Sequence, residues 1–464
     1  MSTPRADSLR TAPPAPDLLD SRLAELTGWG GGEPARSVRW APRDLAHLQA
    51  GLGTLNGRGA IARGLGRSYG DAAQRQGGMA IDTSALRWTA LDARTGLVSA
   101  GAGVSLRELL ALGASRGWIV PVVPGTQHVT VGGAIASDIH GKNHGTLGTF
   151  SRHVRAIGLL TADGRLHELE PGAPGGGFEA TVGGMGLTGV IVWARIQLRS
   201  VMSAMLSVDT DRADDLDHVY SLLSEPGGEH RVAWLDLLSS QAPRGVVTRA
   251  AHQEHGELSA RLATRPARAR IPAWWPGLLL QPAAVAAFNE LRFRASPRSE
   301  RGRPEGFAAH MFPLDGLDEW PHLYGRSGFV QYQFVIPRGA EPVIAGVLEL
   351  LRASGVPCYL AVLKDFGPAG SGMLSFPIEG WTLALDLPRA APGLMPALNR
   401  CDELVCEASG RVYLSKDARI GPAMTRAMYP RLDEWREVRD RLDPERRWQS
   451  DLGLRTGLVE GRAA

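Results

Sequence analysis

The chain has 464 residues, enough for two cores of ordinary size, and its 51 basic against 48 acidic residues leave a formal charge of only +3. That balance excludes a nucleic-acid footprint over the whole chain and makes any basic function local. The three cysteines, Cys358, Cys401 and Cys406, lack metal-ligand spacing, so they support neither a disulfide framework nor a zinc site and favour a reducing compartment.

The stretch from Met1 to Asp20 mixes Arg, Pro, Ser and Asp without an apolar core, and reads as a disordered tail rather than a secretory signal. No run of about 20 apolar residues follows, so no membrane-spanning helix is expected. The cytoplasmic face is the expected location, with the cell envelope as the alternative. From 21 to 200, short β-like runs (Ala80 to Asp82, Leu97 to Ala100, Ile157 to Thr161, Val190 to Leu198) alternate with amphipathic stretches such as Leu106 to Ser115, the pattern of an α+β domain.

The loops of this domain are rich in glycine. Ala62 to Ala72 reads Ala-Arg-Gly-Leu-Gly-Arg-Ser-Tyr-Gly-Asp-Ala after a strand-like end at Gly59 to Ala62, as a phosphate-cradling turn should. The dinucleotide fingerprint nevertheless fails, because Tyr69 stands where a third glycine belongs and no helix-forming run opens after the turn. On spacing alone, a structural turn and a phosphate cradle both stand. Two further runs, Gly132 to Gly145 and Val182 to Gly189, add small-residue loops near β-like segments. Three such loops converging on one extended ligand would suit a large nucleotide cofactor, since glycine admits close backbone approach.

From 201 to 410 the pattern changes to strands at Phe329 to Ile336, Tyr359 to Leu363 and Trp381 to Leu387 and a helix at Val343 to Ser354. It predicts a second α+β domain, an antiparallel sheet with helices on one face. Within it, 252–306 carries nine arginines around the apolar run Ile271 to Leu280 and reads as a mobile basic insert; peripheral contact with a lipid surface is the alternative use for Trp274 and Trp275.

Ala62 to Asp71, Val129 to Ala136 (Val-Thr-Val-Gly-Gly-Ala-Ile-Ala), Asp138 to His144 (Asp-Ile-His-Gly-Lys-Asn-His), Gln331 to Pro337, Ser375 to Trp381 and Gly410 to Trp435 together resemble the vanillyl-alcohol-oxidase family of FAD enzymes, and within it members that oxidise a polyprenylphosphoryl ribose. The likeness covers nearly the whole chain outside the tail and part of the arginine-rich segment. It implies a two-domain α+β flavoprotein whose bipartite FAD-binding domain comes from 21–200 and 411–464, with 201–410 as the substrate domain. The FAD lining it implies is Arg63, Gly64, Leu65, Gly66, Arg67, Ser68, Tyr69, Gly70, Asp71 and Ala72, then Gly125, Thr130, Val131, Gly132 and Gly133, then His140, Gly141, Lys142 and Asn143, with Ile191 and Tyr413. Many relatives tether the flavin through a histidine in a Gly-His-Ser turn; the matching Gly66-Arg67-Ser68 cannot form that bond, so FAD is expected to be non-covalent.

Oxidising a secondary alcohol needs a hydride acceptor and a group to take the hydroxyl proton, and neither need be a metal. The resemblance puts Lys416 beside flavin and sugar, as base or as stabiliser of the reduced ring; an ion pair with Asp417 is the bland alternative. Tyr69 and His140 join it as catalytic candidates. Gln331 and Gln333 share one strand face by the two-residue alternation, and Lys364 and Lys142 can hold a phosphate as point charges. His140 and His144 lie four apart, but Gly141 argues for a loop and against a metal site. Asp71 is expected to hydrogen-bond backbone near its own turn. In the family's Trp-Asn-x-Cys stretch this chain has Trp381-Thr382-Leu383-Ala384, so Thr382 and Ala384 face the substrate in place of asparagine and cysteine. The implied reaction yields a 2′-keto sugar for a separate NAD(P)H-dependent reductase, completing an epimerisation used in cell-wall arabinan synthesis. Oxidation of another sugar, alditol or aldonolactone is the alternative.

Overall fold

The computed structural model describes residues 21–53, 59–239, 243–275 and 280–460; the tail at 1–20 and the 276–279 part of the apolar run lie outside it. Strands β1 (Ser21–Leu26), β2 (Ala35–Trp40), β3 (Ala60–Arg63) and β4 (Met79–Asp82) form a sheet in the order β1-β2-β4-β3, with β4 parallel to both of its neighbours. A second sheet, antiparallel throughout, joins β5 (Thr89–Leu91), β6 (Leu97–Gly101), β7 (Val154–Leu160), β8 (Leu166–Leu169) and β9 (Val190–Gln197) in the order β5-β6-β9-β7-β8. Helix α1 (Leu106–Ala114) begins at a capping box in which Ser105 and Glu108 satisfy each other's backbone N–H, and its apolar stripe enters the core with Val98, Ile157 and Ile196. The short helix α2 (Val131–Ala136) follows, capped by Thr130.

The second domain is built on eight strands: β10 (Met205–Ala213), β11 (His230–Asp236), β12 (Arg244–His252), β13 (Ser299–Gly306), β14 (Phe329–Pro337), β15 (Leu360–Phe366), β16 (Gly380–Pro388) and β17 (Arg411–Val412). Their order is β13-β10-β12-β11-β15-β16-β14-β17, antiparallel throughout. Period-two alternation sends Tyr332, Phe334, Ile336, Leu363 and Leu385 to one face, where they pack with Val219 and Leu223 of α3 (Leu216–Ser224), Ile344 and Val347 of α5 (Glu341–Ala353) and Leu398 and Val405 of α6 (Leu394–Glu407).

The mobile basic insert expected at 252–306 is in large part regular structure. The arginine-rich span 252–306 is not one loop: it contributes the end of β12, the helix α4 (Pro282–Ala295) and all of β13, which pairs with β10. Helix α4 also lies on the face of the sheet opposite α3, α5 and α6, where Phe293 meets Trp234 and Val246. Composition hid this, because arginines on a helix whose buried stripe is only Val285, Asn289 and Phe293 look like a solvated run. The C-terminal segment returns to the first domain: Trp448 is buried with Trp40, Leu48 and Ile81, and Ala60 exchanges backbone hydrogen bonds with Arg447 and Gln449. Among the described residues, no helix is long and apolar enough to cross a membrane.

Candidate active site

A cavity of about 770 Å³ lies between the first domain and the face of the eight-stranded sheet opposite α3, α5 and α6, a size usual for ligand sites. All three glycine-rich segments reach it. Gly64, Leu65, Gly66, Arg67, Ser68, Tyr69 and Ala72 come from the turn after β3; Gly125, Thr130, Gly132 and Gly133 come from the approach to α2; Gly186, Gly189 and Ile191 come from the approach to β9. Packing dictates glycine at two of these places. A Cβ on Gly64 would lie 2.3 Å from the Thr130 Oγ1 that caps α2, and one on Gly70 would lie 1.9 Å from the Asp417 carbonyl. The turn is thereby pressed against both α2 and the C-terminal segment, and Tyr69 N–H donates to the Ser415 carbonyl at 2.9 Å.

The opposite wall is the sheet. Alternation that sends Tyr332 and Phe334 to the helices sends Gln331 and Gln333 into the cavity, with Val362 and Lys364 of β15, Ala384 of β16 and Val232, Trp234, Val246 and Thr248 of β11 and β12. Thr382 is buried beneath this wall: its Oγ1 donates to the Phe334 carbonyl at 2.9 Å and accepts from Gln333 Nε2 at 3.1 Å. Gln333 Nε2 is also 3.0 Å from His140 Nε2, so the amide donates to that ring nitrogen and sets the neutral tautomer with its proton on Nδ1. Among the described residues no group meets His140 Nδ1, which is buried, in hydrogen-bond geometry.

Lys416 Nζ stands 3.6 Å above the Tyr69 ring. Burial, against the opposing pull of Asp386 and with Lys364 adding to it, lowers its pKa to about 7. Burial likewise lowers Lys364 to about 8 and Lys142 to about 7, the latter helped by Lys364 and Arg292 against Glu305. It drives His140 well below the usual histidine value, with Lys364, His144 and Lys416 adding to the effect, and it raises the Tyr69 hydroxyl. Among the described residues none of these lysines has a carboxylate within ion-pair distance; Lys142 Nζ donates to the His310 carbonyl. Three desolvated lysines line one cavity, and Lys364 acts against the charge of the other two, an arrangement that an anion between them would relieve.

Asp417, the carboxylate next in sequence to Lys416, pairs with Arg455 at 2.8 Å, which leaves Lys416 without the bland ion pair. Several residues expected at the ligand lie behind the wall instead. Arg63 reaches the carbonyls of Thr27 and Ala73, both at 2.9 Å, and ties the turn from outside. Asp71 accepts two hydrogen bonds from Arg455, at 2.7 and 2.9 Å, so its partner is a distant guanidinium and not local backbone. Val131 belongs to the apolar core, and Asn143 Nδ2 donates to the Pro121 carbonyl at 2.8 Å. His140 and His144 share no helix: His140 bridges to Thr149, and His144 opens a short helical turn. Tyr413 lines the cavity and is fixed by its hydroxyl donating to the Ser137 carbonyl at 2.8 Å.

Sequence reasoning missed Asp386. It is buried, accepts from Gln331 Nε2 at 2.6 Å, and is raised to about 7 by burial against the pull of Gln331 and Lys416. The signal was available, since Asp386 is two residues beyond Ala384 and four beyond Thr382 on the same face of β16. Trp29, which stacks on Arg67 at 3.6 Å, was also missed, because it comes from a loop preceding the whole glycine-rich turn.

These features fit FAD. Glycine walls give a diphosphate access to backbone, the lysines supply positive charge, and His140 Nδ1 offers an unused donor. A family described as FAD binding domain matches residues 38–170. The chain is 38% identical over 450 residues to decaprenylphosphoryl-β-D-ribose oxidase of Mycolicibacterium smegmatis, covering 94% of this chain and 97% of that protein. It is 40% identical over 373 residues to an uncharacterised protein of Streptomyces coelicolor, covering 76% and 100%. It is 23% identical over 440 residues to an alditol oxidase of a Streptomyces species, covering 90% and 95%. The chain is an FAD-dependent oxidoreductase of the vanillyl-alcohol-oxidase type and belongs to the family that includes decaprenylphosphoryl-β-D-ribose oxidase.

Proposed function

We propose that the protein oxidises the C2′ hydroxyl of a polyprenylphosphoryl-β-D-ribose to the 2′-keto sugar. The observation that carries this reading is the array of Lys416, Tyr69, His140 and Gln333 facing a glycine-lined FAD site, with two further half-buried lysines, Lys142 and Lys364, in the same cavity. In this reading FAD is held by segments of 21–200 and 411–464, without a covalent bond, and supplies the two-electron acceptor. The alcohol carbon gives up a hydride and its hydroxyl gives up a proton. Lys416, divided between amine and ammonium near pH 7, takes that proton as the amine or steadies negative charge as the ammonium. Tyr69 keeps its hydroxyl proton and so serves as a donor, while Gln331 and Gln333 orient the sugar from the 201–410 domain. Lys142 and Lys364 attract the phosphate.

The product calls for an NAD(P)H-dependent keto-sugar reductase, which would deliver the arabinose epimer for cell-wall arabinan. A lipid-linked substrate also implies that the enzyme works as a peripheral protein at a membrane face, the cytoplasmic one in this proposal. A second reading, oxidation of another sugar or an alditol, is favoured by one observation: the cavity wall carries Ala384, with Thr382 beneath it, which alters the hydrogen bonds that select the alcohol. Incubating the flavin-loaded protein with short-chain polyprenylphosphoryl-β-D-ribose or with xylitol, followed by mass analysis, separates the two. Loss of two hydrogens from the ribose lipid alone is expected; oxidation of xylitol alone would replace the first reading with the second.

A further inference from the structure

We propose that the outer face of α4, together with Trp274, docks the protein onto the surface of an anionic lipid bilayer and sets the cavity mouth against it. The proposal rests on the lipid-phosphate reading above for its purpose, but its evidence is separate. One stripe of α4 is pinned to the sheet: Asn289 Nδ2 donates to Asp236 at 2.9 Å, and Val285 and Phe293 are buried on either side of it. The opposite stripe, Ala284, Phe288, Leu291 and Ala295, follows the four-three-four spacing of a single helix face and is exposed along its whole length. Phe288 is 60% and Leu291 68% accessible, where an ordinary solvent face would carry polar side chains.

This face is continuous with the cavity. Phe288 lines it, as does Leu317, itself 36% accessible. The short strand Leu317–Asp318 pairs with Ala269–Arg270, and Ile271 N–H donates to the Asp318 carbonyl at 2.9 Å. Three residues further on, within about 10 Å of chain, Trp274 is 75% accessible. Around these apolar groups Arg261, Arg268, Arg270, Arg294 and Arg298 are exposed, in a span with nine arginines against five glutamates. An apolar stripe flanked by arginine is the pattern of an interfacial helix. The net positive charge of the rim selects the occupant. Two copies of this face would repel one another, whereas a bilayer carrying anionic headgroups matches it, and the pairs Arg294–Glu290 and Arg270–Asp318 are surface pairs that exchange at little cost.

The test uses the full-length, flavin-loaded protein and vesicle flotation. Wild type is expected to float with vesicles of phosphatidylcholine and phosphatidylglycerol, to stay behind with phosphatidylcholine alone, and to be released by salt. Trp274→Asp/Leu291→Asp should weaken flotation about tenfold or more, and Arg294→Glu/Arg298→Glu should abolish the preference for phosphatidylglycerol. Flavin bleaching by a soluble short-chain substrate should be unchanged in both variants. Equal flotation of the Trp274/Leu291 variant, no flotation of wild type, or a concentration-dependent dimer lost in that variant would overturn the proposal. Flotation without any bleaching by the ribose lipid would sink the substrate reading alone.

Discussion

The two faces of the eight-stranded sheet differ in what they ask of neighbouring residues on the same strands. On β14, Tyr332, Phe334 and Ile336 are buried against α3, α5 and α6, while Gln331 and Gln333, between and beside them, meet Asp386 and Thr382 of the neighbouring strand β16 and His140 of the first domain. The first face is held by removal of apolar area from water, and the second holds desolvated charge that the first must stabilise. Lys416 stands apart from that packing because it lies in the turn after β17, with its Nζ over the Tyr69 ring.

The contrast breaks most visibly at Lys416. Lys416→Met is expected to lower kcat by about 10²–10⁴ with FAD still bound, and not to lower the thermal midpoint. The sign follows from burial: with its folded pKa near 7, below the unfolded value of 10.5, the lysine binds fewer protons folded than unfolded. Its contribution to stability therefore rises with pH between those two values and is unfavourable at and below neutrality. Melting curves across pH 6 to 10 check this; flat stability would show that Lys416 is solvated.

On the other face, Phe334→Ala should cost about 3–5 kcal/mol in denaturant unfolding while leaving turnover per folded, flavin-loaded molecule unchanged. A change of turnover without loss of stability would erase the distinction between the faces. The smallest expected effect is that of Asp386→Asn. Removing this carboxylate takes away the charge that raises the Lys416 pKa, so the acid limb of kcat/KM should move to lower pH. An unmoved limb would mean that Asp386 serves Gln331 alone.

Much of this arrangement was legible in the sequence for specific reasons. The turn after β3 announced itself because its glycines follow a strand, and Gln331 and Gln333 because period two is visible in any strand. The motifs marked segments, however, and not the direction in which each side chain points. Arg63, Gly70, Asp71, Val131 and Asn143 sit in the right loops but brace them from behind, with partners such as Thr27, Arg455 and Pro121 that are remote in the chain. Asp386 escaped although period two puts it on the face of Thr382 and Ala384, because the pull between its carboxylate and Lys416 arises only in the folded chain. Helix α4 escaped because its arginines outweigh a narrow buried stripe.

In the proposed reading one cavity joins an FAD site to Lys416 and a ribose lipid. The most direct measurement is an anaerobic titration of the purified, flavin-loaded protein with short-chain polyprenylphosphoryl-β-D-ribose, following the visible flavin absorption. Stoichiometric bleaching is expected in wild type and its loss, at unchanged flavin content, in Lys416→Met. A yellow protein that stays oxidised on saturation with the ribose lipid would contradict that reading.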